Sequence, residues 1–270
     1  MEEYDPDLVP TQEFKILHNL VTDPDASAAD AVQQVLDLTT TEILSKNDTP
    51  GSNFDSDVAW NICVLIIDIA ANTAPTRQTK LLDFVSQIRK VTVADPRTGE
   101  KVGCGNFGYL WTDLHSFGMH AADMCNSFIH HHSHTPKDLE KWENSTAFIA
   151  QSTAAAAITR NGKPTHRMDF SIYGLYACRD AFEEENQYKS AVRTACLWFI
   201  YAAGSMLENC KIGRVYDLHD PPERGFDLDR WHAWKQGLVR TQAGYGDERT
   251  QELVRIALER IAQVEAERLN

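Results

Sequence analysis

The sequence predicts an all-α fold, a single-domain bundle of about ten helices. Apolar residues recur at helical spacing through most of its 270 residues, and clusters of Pro, Gly, Asp and Asn separate the periodic stretches. Side chains able to cap free helix amides stand at several of the resulting starts.

In chain order the helices are expected over 11–21, 26–45, 56–73, 76–91, 107–128, 138–159, 169–186, 189–211, 227–242 and 247–268. The first two form an N-terminal segment, 1–54, packed on a helical domain of 55–270. Ser56 or Asp55 caps the third helix, Thr76 follows Pro75 at the start of the fourth, and Asp247 precedes Glu248 at the start of the tenth. The last helix places Leu253, Ile256, Ala257, Ile261 and Val264 on one face among Glu and Arg. Residues 91–102 break the pattern, with short β-branched pieces around Asp95, Pro96 and Gly99. A small hairpin or an ordered loop is expected near 92–105. The stretch 213–225, with Asp217, Asp220, Pro221 and Pro222, reads as a surface connection.

Charge and composition exclude several classes. A formal net charge of -13 disfavours a phosphate backbone or an anionic membrane surface, so no nucleic-acid or membrane partner is expected. No apolar run approaches the roughly 20 residues of a membrane span. The opening residues carry neither a basic nor an apolar leader region, so a cytoplasmic protein is expected. In that setting the six dispersed cysteines read as buried thiols, and the sequons at Asn47 and Asn144 carry no glycan.

Each chemical motif competes with a plainer reading. Gly103, Gly105 and Gly108 match G-x-G-x-x-G, but the fingerprint has meaning only between a parallel strand and a helix, and the sequence offers no second strand to build that sheet. His130, His131, His132 and His134 form a dense cluster, read as a solvated loop because Thr135 and Pro136 end any helix there. His115 and His120 are five apart and do not share a helix face. No resident metal or redox cofactor is indicated. Asp217 and Asp220 read as turn formers.

Polar residues inside apolar helices carry more information. Arg179 shares a helical face with Ile172, Leu175 and Tyr176, and a guanidinium there must be paired or line a cavity. Asp68 and Glu208 are its candidate partners. Asn144 lies in a stripe with Phe148 and Ser152, while Trp198 and Tyr201 mark a buried aromatic helix. The arrangement is either an internal salt bridge fixing helix register or a pocket with a charged floor.

The same positions carry a family resemblance. Val58–Val91, Leu110–Leu114, Trp142–Ala150 with Asn144 and Phe148, Ala177–Glu183 with Arg179 and Asp180, Trp198–Gly204, and Arg230, Trp231, Trp234 and Lys235 occur in order. Together they resemble the fungal family catalogued as domain of unknown function 3632. The likeness spans about 55–265 and implies an all-helical fold, a filamentous-fungal source and a setting near secondary-metabolite genes. It implies no established activity. The connections 92–105 and 128–138 are longer than the family pattern.

Three functions are then open. In a cyclase or isomerase without redox cofactor, Arg179 and Asn144 would polarise a carbonyl and His115 or a carboxylate would move a proton. Trp198, Tyr201, Tyr176 and Phe148 would shape a hydrophobic or polar small molecule, with Asp68 and Glu208 beside the charge. A ligand-binding protein would use the same pocket without chemistry. An interaction protein, such as a homodimer, would use Arg179 for structure alone.

Overall fold

The computed structural model describes residues 4–46, 54–105, 108–156, 168–216, 224–244 and 247–268. Among them stand ten α-helices and no strand: α1 (Gln12–Thr22), α2 (Ala28–Ser45), α3 (Asp57–Ala71), α4 (Thr79–Ile88), α5 (His115–Ser127), α6 (Pro136–Ala154), α7 (Ser171–Phe182), α8 (Lys189–Ile212), α9 (Leu228–Gly244) and α10 (Glu248–Arg268). None is long and apolar enough to cross a membrane. The chain divides into two compact units, residues 1–127 and 128–270, so the segment 1–54 shares the first unit with α3, α4 and α5.

Unit 1 is built on α3, whose Ile62, Leu65, Ile66 and Ile69 are fully buried. Leu17 and Leu20 of α1, Val35 and Ile43 of α2, and Leu81, Phe84 and Ile88 of α4 fill the same core. Of the two caps expected, Ser56 or Asp55, it is Ser56 that forms, its Oγ accepting from the Ala59 amide at 3.0 Å. Pro75–Arg77 makes a single 3₁₀ turn, and α4 starts only at Thr79 with no side-chain cap. Thr76 therefore lies inside the turn and does not start the helix.

Two local departures have clear causes. The helix expected from residue 107 begins at 115, because Gly108 takes φ +95° and the Asp113 carboxylate accepts from the Tyr109 amide at 2.7 Å. A Cβ on Gly108 would fall 2.0 Å from Asp113 Oδ2, so the tight turn requires glycine. Near 92–105 the chain forms an ordered loop with isolated antiparallel bridges, Ala94 to Lys101 and Gly103 to Tyr109, and no regular strand. Its turn is held by Asp95, whose Oδ1 accepts from the Arg97 amide at 2.9 Å, with Gly99 at φ +75°. Asn106 and Phe107, inside the G-x-G-x-x-G match, lie outside the described residues, as do Asn47, Asp217 and Asp220.

In unit 2, α8 is the spine. Its buried residues include Val192, Cys196, Trp198, Phe199, Met206 and Cys210, and α6, α7 and α10 pack against it. The start of α7 meets the end of α8, so these two run antiparallel. Gly174 lets them approach: a Cβ there would lie 2.9 Å from the Trp198 ring. Thr135 and Pro136, read as a helix terminator, instead start α6. Thr135 and Asp138 form a reciprocal capping box with proline in the first turn, where its missing N–H costs nothing. All six cysteines are free, five buried and Cys125 half-buried.

Candidate functional site

Unit 2 opens a cleft of about 500 Å³ between the segment that follows residue 127 and the α7–α8 turn. Phe128, Ile129, His130 and His131 line one side, and Asp180, Glu184, Glu185, Asn186, Tyr188 and Ala191 the other. The first side is ordered by its aromatic rings. Phe128 stacks between His134, at a centroid distance of 4.1 Å, and Trp142, at 4.4 Å. Trp142 is itself fixed by its indole N–H, which donates to Thr194 Oγ1 at 2.8 Å. His134 is turned aside by a 2.8 Å hydrogen bond between Nε2 and the Ile129 carbonyl.

His130 is therefore held apart from its neighbours. Its Nδ1 lies 2.9 Å from Ser190 Oγ, and that hydroxyl also stands 3.4 Å from the His130 carbonyl. The two contacts fix the orientation of the ring in the cleft wall. Burial, followed by the nearby His134, pushes the His130 pKa down to about 4. Burial also raises the Asp180 carboxyl above its ordinary range, with Glu184 adding to the effect and Arg179 opposing it. One cleft thus holds an imidazole that burial keeps neutral and three carboxyl groups, Asp180, Glu184 and Glu185, beside aromatic rings. Among the described residues no group of three or more His, Cys, Asp or Glu side chains is positioned to hold a metal ion.

The His130 shift makes a stability prediction. The unfolded imidazole takes its proton near pH 6.5 while the folded one resists until about 4. Between these values the unfolded state binds more protons, so stability falls as the pH drops through this window. Chemical denaturation at pH 7 and 4.5 is expected to show a loss of about 2 kcal/mol from this group, absent in His130→Phe.

The sequence-derived site residues are distributed differently. Arg179 is not a buried charge: its side chain is 35% exposed, its Nε lies 3.5 Å from its neighbour Asp180, and its guanidinium sits 4.8 Å from the Tyr176 ring. Ile172 and Tyr176 on that face are likewise half-buried, and it is the opposite face, with Gly174, Cys178 and Ala181, that enters the core. Asn144, Phe148 and Trp198 are buried in the helix packing, Phe148 fully, and Tyr201 and Glu208 are half-buried on α8. Asp68 and His115 belong to unit 1, not to the unit that carries Arg179. There Asp68 accepts from the Asp5 amide at 3.1 Å and from Asn72 at 3.4 Å, which ties the N-terminal segment to α3. The His115 side chain lies outside the described residues.

Sequence reasoning passed over Asp180, Ser190 and Tyr188 as site residues and read His130 as part of a solvated loop, whereas its ring is half-buried against Ser190. Its usable signal was the alternation of Phe128, His130 and His134 ahead of Trp142, a set of rings rather than a set of ligands. The aromatic and charged residues that the sequence comparison singled out in Ala177–Glu183 and Arg230–Lys235 also have visible roles. Glu183 accepts from Arg230 Nε at 2.9 Å and Nη2 at 2.6 Å, and from the Trp234 indole at 2.7 Å. Glu265 accepts from the Trp231 indole at 2.9 Å and from Lys235 at 2.6 Å. The two carboxylates clamp α9 to α7 and to α10.

The model of a family described as protein of unknown function (DUF3632) matches residues 64–238, a span that includes the whole cleft. No curated protein and no solved structure matches the chain.

Proposed function

The chain belongs to the DUF3632 family, and from that premise we propose that the protein handles a small organic molecule in the cleft of unit 2 and moves a proton on it. The reading is of a cyclase or isomerase that needs no redox cofactor, acting in the cytoplasm in fungal specialised metabolism, the setting that the family resemblance implies. One observation carries it. His130, with Nδ1 engaged by Ser190, and the Asp180 carboxyl line opposite sides of a single cleft, where two groups able to exchange protons face one space.

In this reading a proton passes between the bound molecule and the facing pair of His130 and the Asp180 carboxylate. Phe128 and Tyr188 supply ring faces, while Glu184 and Glu185 favour a molecule with a basic or cationic group. Arg179 acts indirectly, by placing its neighbour Asp180.

Native mass spectrometry of untagged protein, purified from its own host, is expected to retain one organic molecule per chain. Asp180→Asn and His130→Gln should still bind it and convert it at least about 100-fold more slowly, the usual contribution of one positioned acid or base. Binding retained with unchanged conversion in both variants would remove the acid–base role. Wild type that takes up no organic molecule from host extract would end the small-molecule reading.

A further inference from the structure

At the far end of α7 from the cleft, roughly 14 Å along the helix from Asp180, lies a buried polar cluster centred on Arg214. The residue follows α8, whose C-cap Gly213 adopts φ +62°. Its backbone is pinned on both sides: Arg214 N donates to the Asn209 carbonyl at 3.0 Å, and its own carbonyl accepts from Phe226 N at 2.8 Å. Gly225 is required by that approach, since a Cβ there would fall 2.1 Å from the Arg214 oxygen.

Arg214 is 3% exposed, and Ser171 and Asn209 beside it are fully buried. Its Nη1 donates to Asp169 Oδ2 at 2.6 Å, Ser171 Oγ at 3.1 Å and Asn209 Oδ1 at 3.1 Å. Tyr216 lays its ring 4.7 Å from the guanidinium carbon and donates its hydroxyl to Ser171 Oγ at 3.2 Å. Every one of the guanidinium's hydrogen bonds to these side chains is made by Nη1. Nε and Nη2, which present two parallel N–H bonds on one edge, are buried with no acceptor among the described residues, and so is Nδ2 of the adjoining Asn209.

Buried donors of this kind are rarely left unmatched, and an open guanidinium edge fits the two oxygens of a carboxylate or phosphoryl group. We propose that the Nε–Nη2 edge of Arg214, together with Asn209 Nδ2, is a binding site for one oxyanion. Asp169 already balances the arginine charge. The incoming charge is therefore stabilised by its hydrogen bonds and by the first turn of α7, which begins at Ser171. The site shares no residue with the cleft and stands independently of the function proposed there.

Selenate and acetate serve as probes, each titrated calorimetrically into the full chain at constant ionic strength, with a crystal grown in selenate to locate the anion. One saturable site per chain is expected, with selenium density beside Nε and Nη2. Uptake of acetate alone, its oxygens found at the same edge, would assign the site to carboxylates. Uptake of selenate would assign it to phosphoryl-like groups. Arg214→Lys keeps the charge but loses the two-pronged edge and should bind at least tenfold more weakly. Should that variant fail to fold, the wild-type crystal decides. Ordered water at this edge with neither probe bound, or a folded Arg214→Lys that binds as wild type does, overturns the proposal.

Discussion

Arg193→Met is expected to destabilise unit 2 by about 3 kcal/mol, the low end of the cost of removing one partner from a buried ion pair, because each carboxylate keeps a second cation. Arg193 on α8 donates to Glu143 of α6 at 3.0 Å, to Asp247 before α10 at 2.7 Å and to Thr250 at 2.8 Å. The Arg193 side chain is 14% exposed and that of Glu143 9%, so methionine would leave Glu143 with Arg249 alone, at 3.1 Å, and the 28%-exposed Asp247 with Lys189, at 3.4 Å. The charge explanation is testable. Adding Glu143→Gln to Arg193→Met should restore part of the loss, whereas packing loss alone would make the two changes additive. Chemical denaturation of both variants reads the difference. Acid should mimic the substitution. Although burial works against it, hydrogen bonding from Thr250 and Arg193 holds the Asp247 carboxyl below its ordinary range. Its stabilisation is complete above the ordinary aspartate pKa and is lost as the pH falls toward the lowered one.

The second large effect is expected at Glu183→Leu, a loss of about 2–3 kcal/mol. The variant leaves Arg230, 7% exposed, without its two-pronged acceptor and the Trp234 indole without any carboxylate. Glu183 is the more exposed partner, which holds the cost below that at Arg193. Because α9 is clamped through this residue, quenching of the buried Trp234 is expected to rise at denaturant concentrations where α8 remains helical. Loss of both signals together, at an unchanged midpoint, would count against the clamp.

The difference between Arg179 and Glu183 shows how far residue order reaches. Both stand in one motif four residues apart, and hydrophobic spacing singled out Arg179 because Ile172, Leu175 and Tyr176 share its face. The buried face of α7 is instead the one that Gly174 opens for Trp198. Periodicity locates apolar residues but does not tell which of two mixed faces finds a partner, since that depends on a close approach made by a residue with no side chain. His130 illustrates the same limit. A run of histidines suggests ligands, and only the stacking of Phe128 on Trp142 and the contact with Ser190 separates one imidazole from the rest.

By itself the sequence determined the helical class, the positions of most helices and the caps at Ser56 and Asp247, because these follow from short-range spacing and from side chains that reach their own backbone. It also marked the motif residues that place this chain in its family. Tertiary structure alone decided which charges are buried, that Asp180 and His130 share a cleft, and that Arg214 turns an open edge into the interior. Those outcomes depend on contacts between residues dozens of positions apart, and they are set by helix packing rather than by any pattern along the chain.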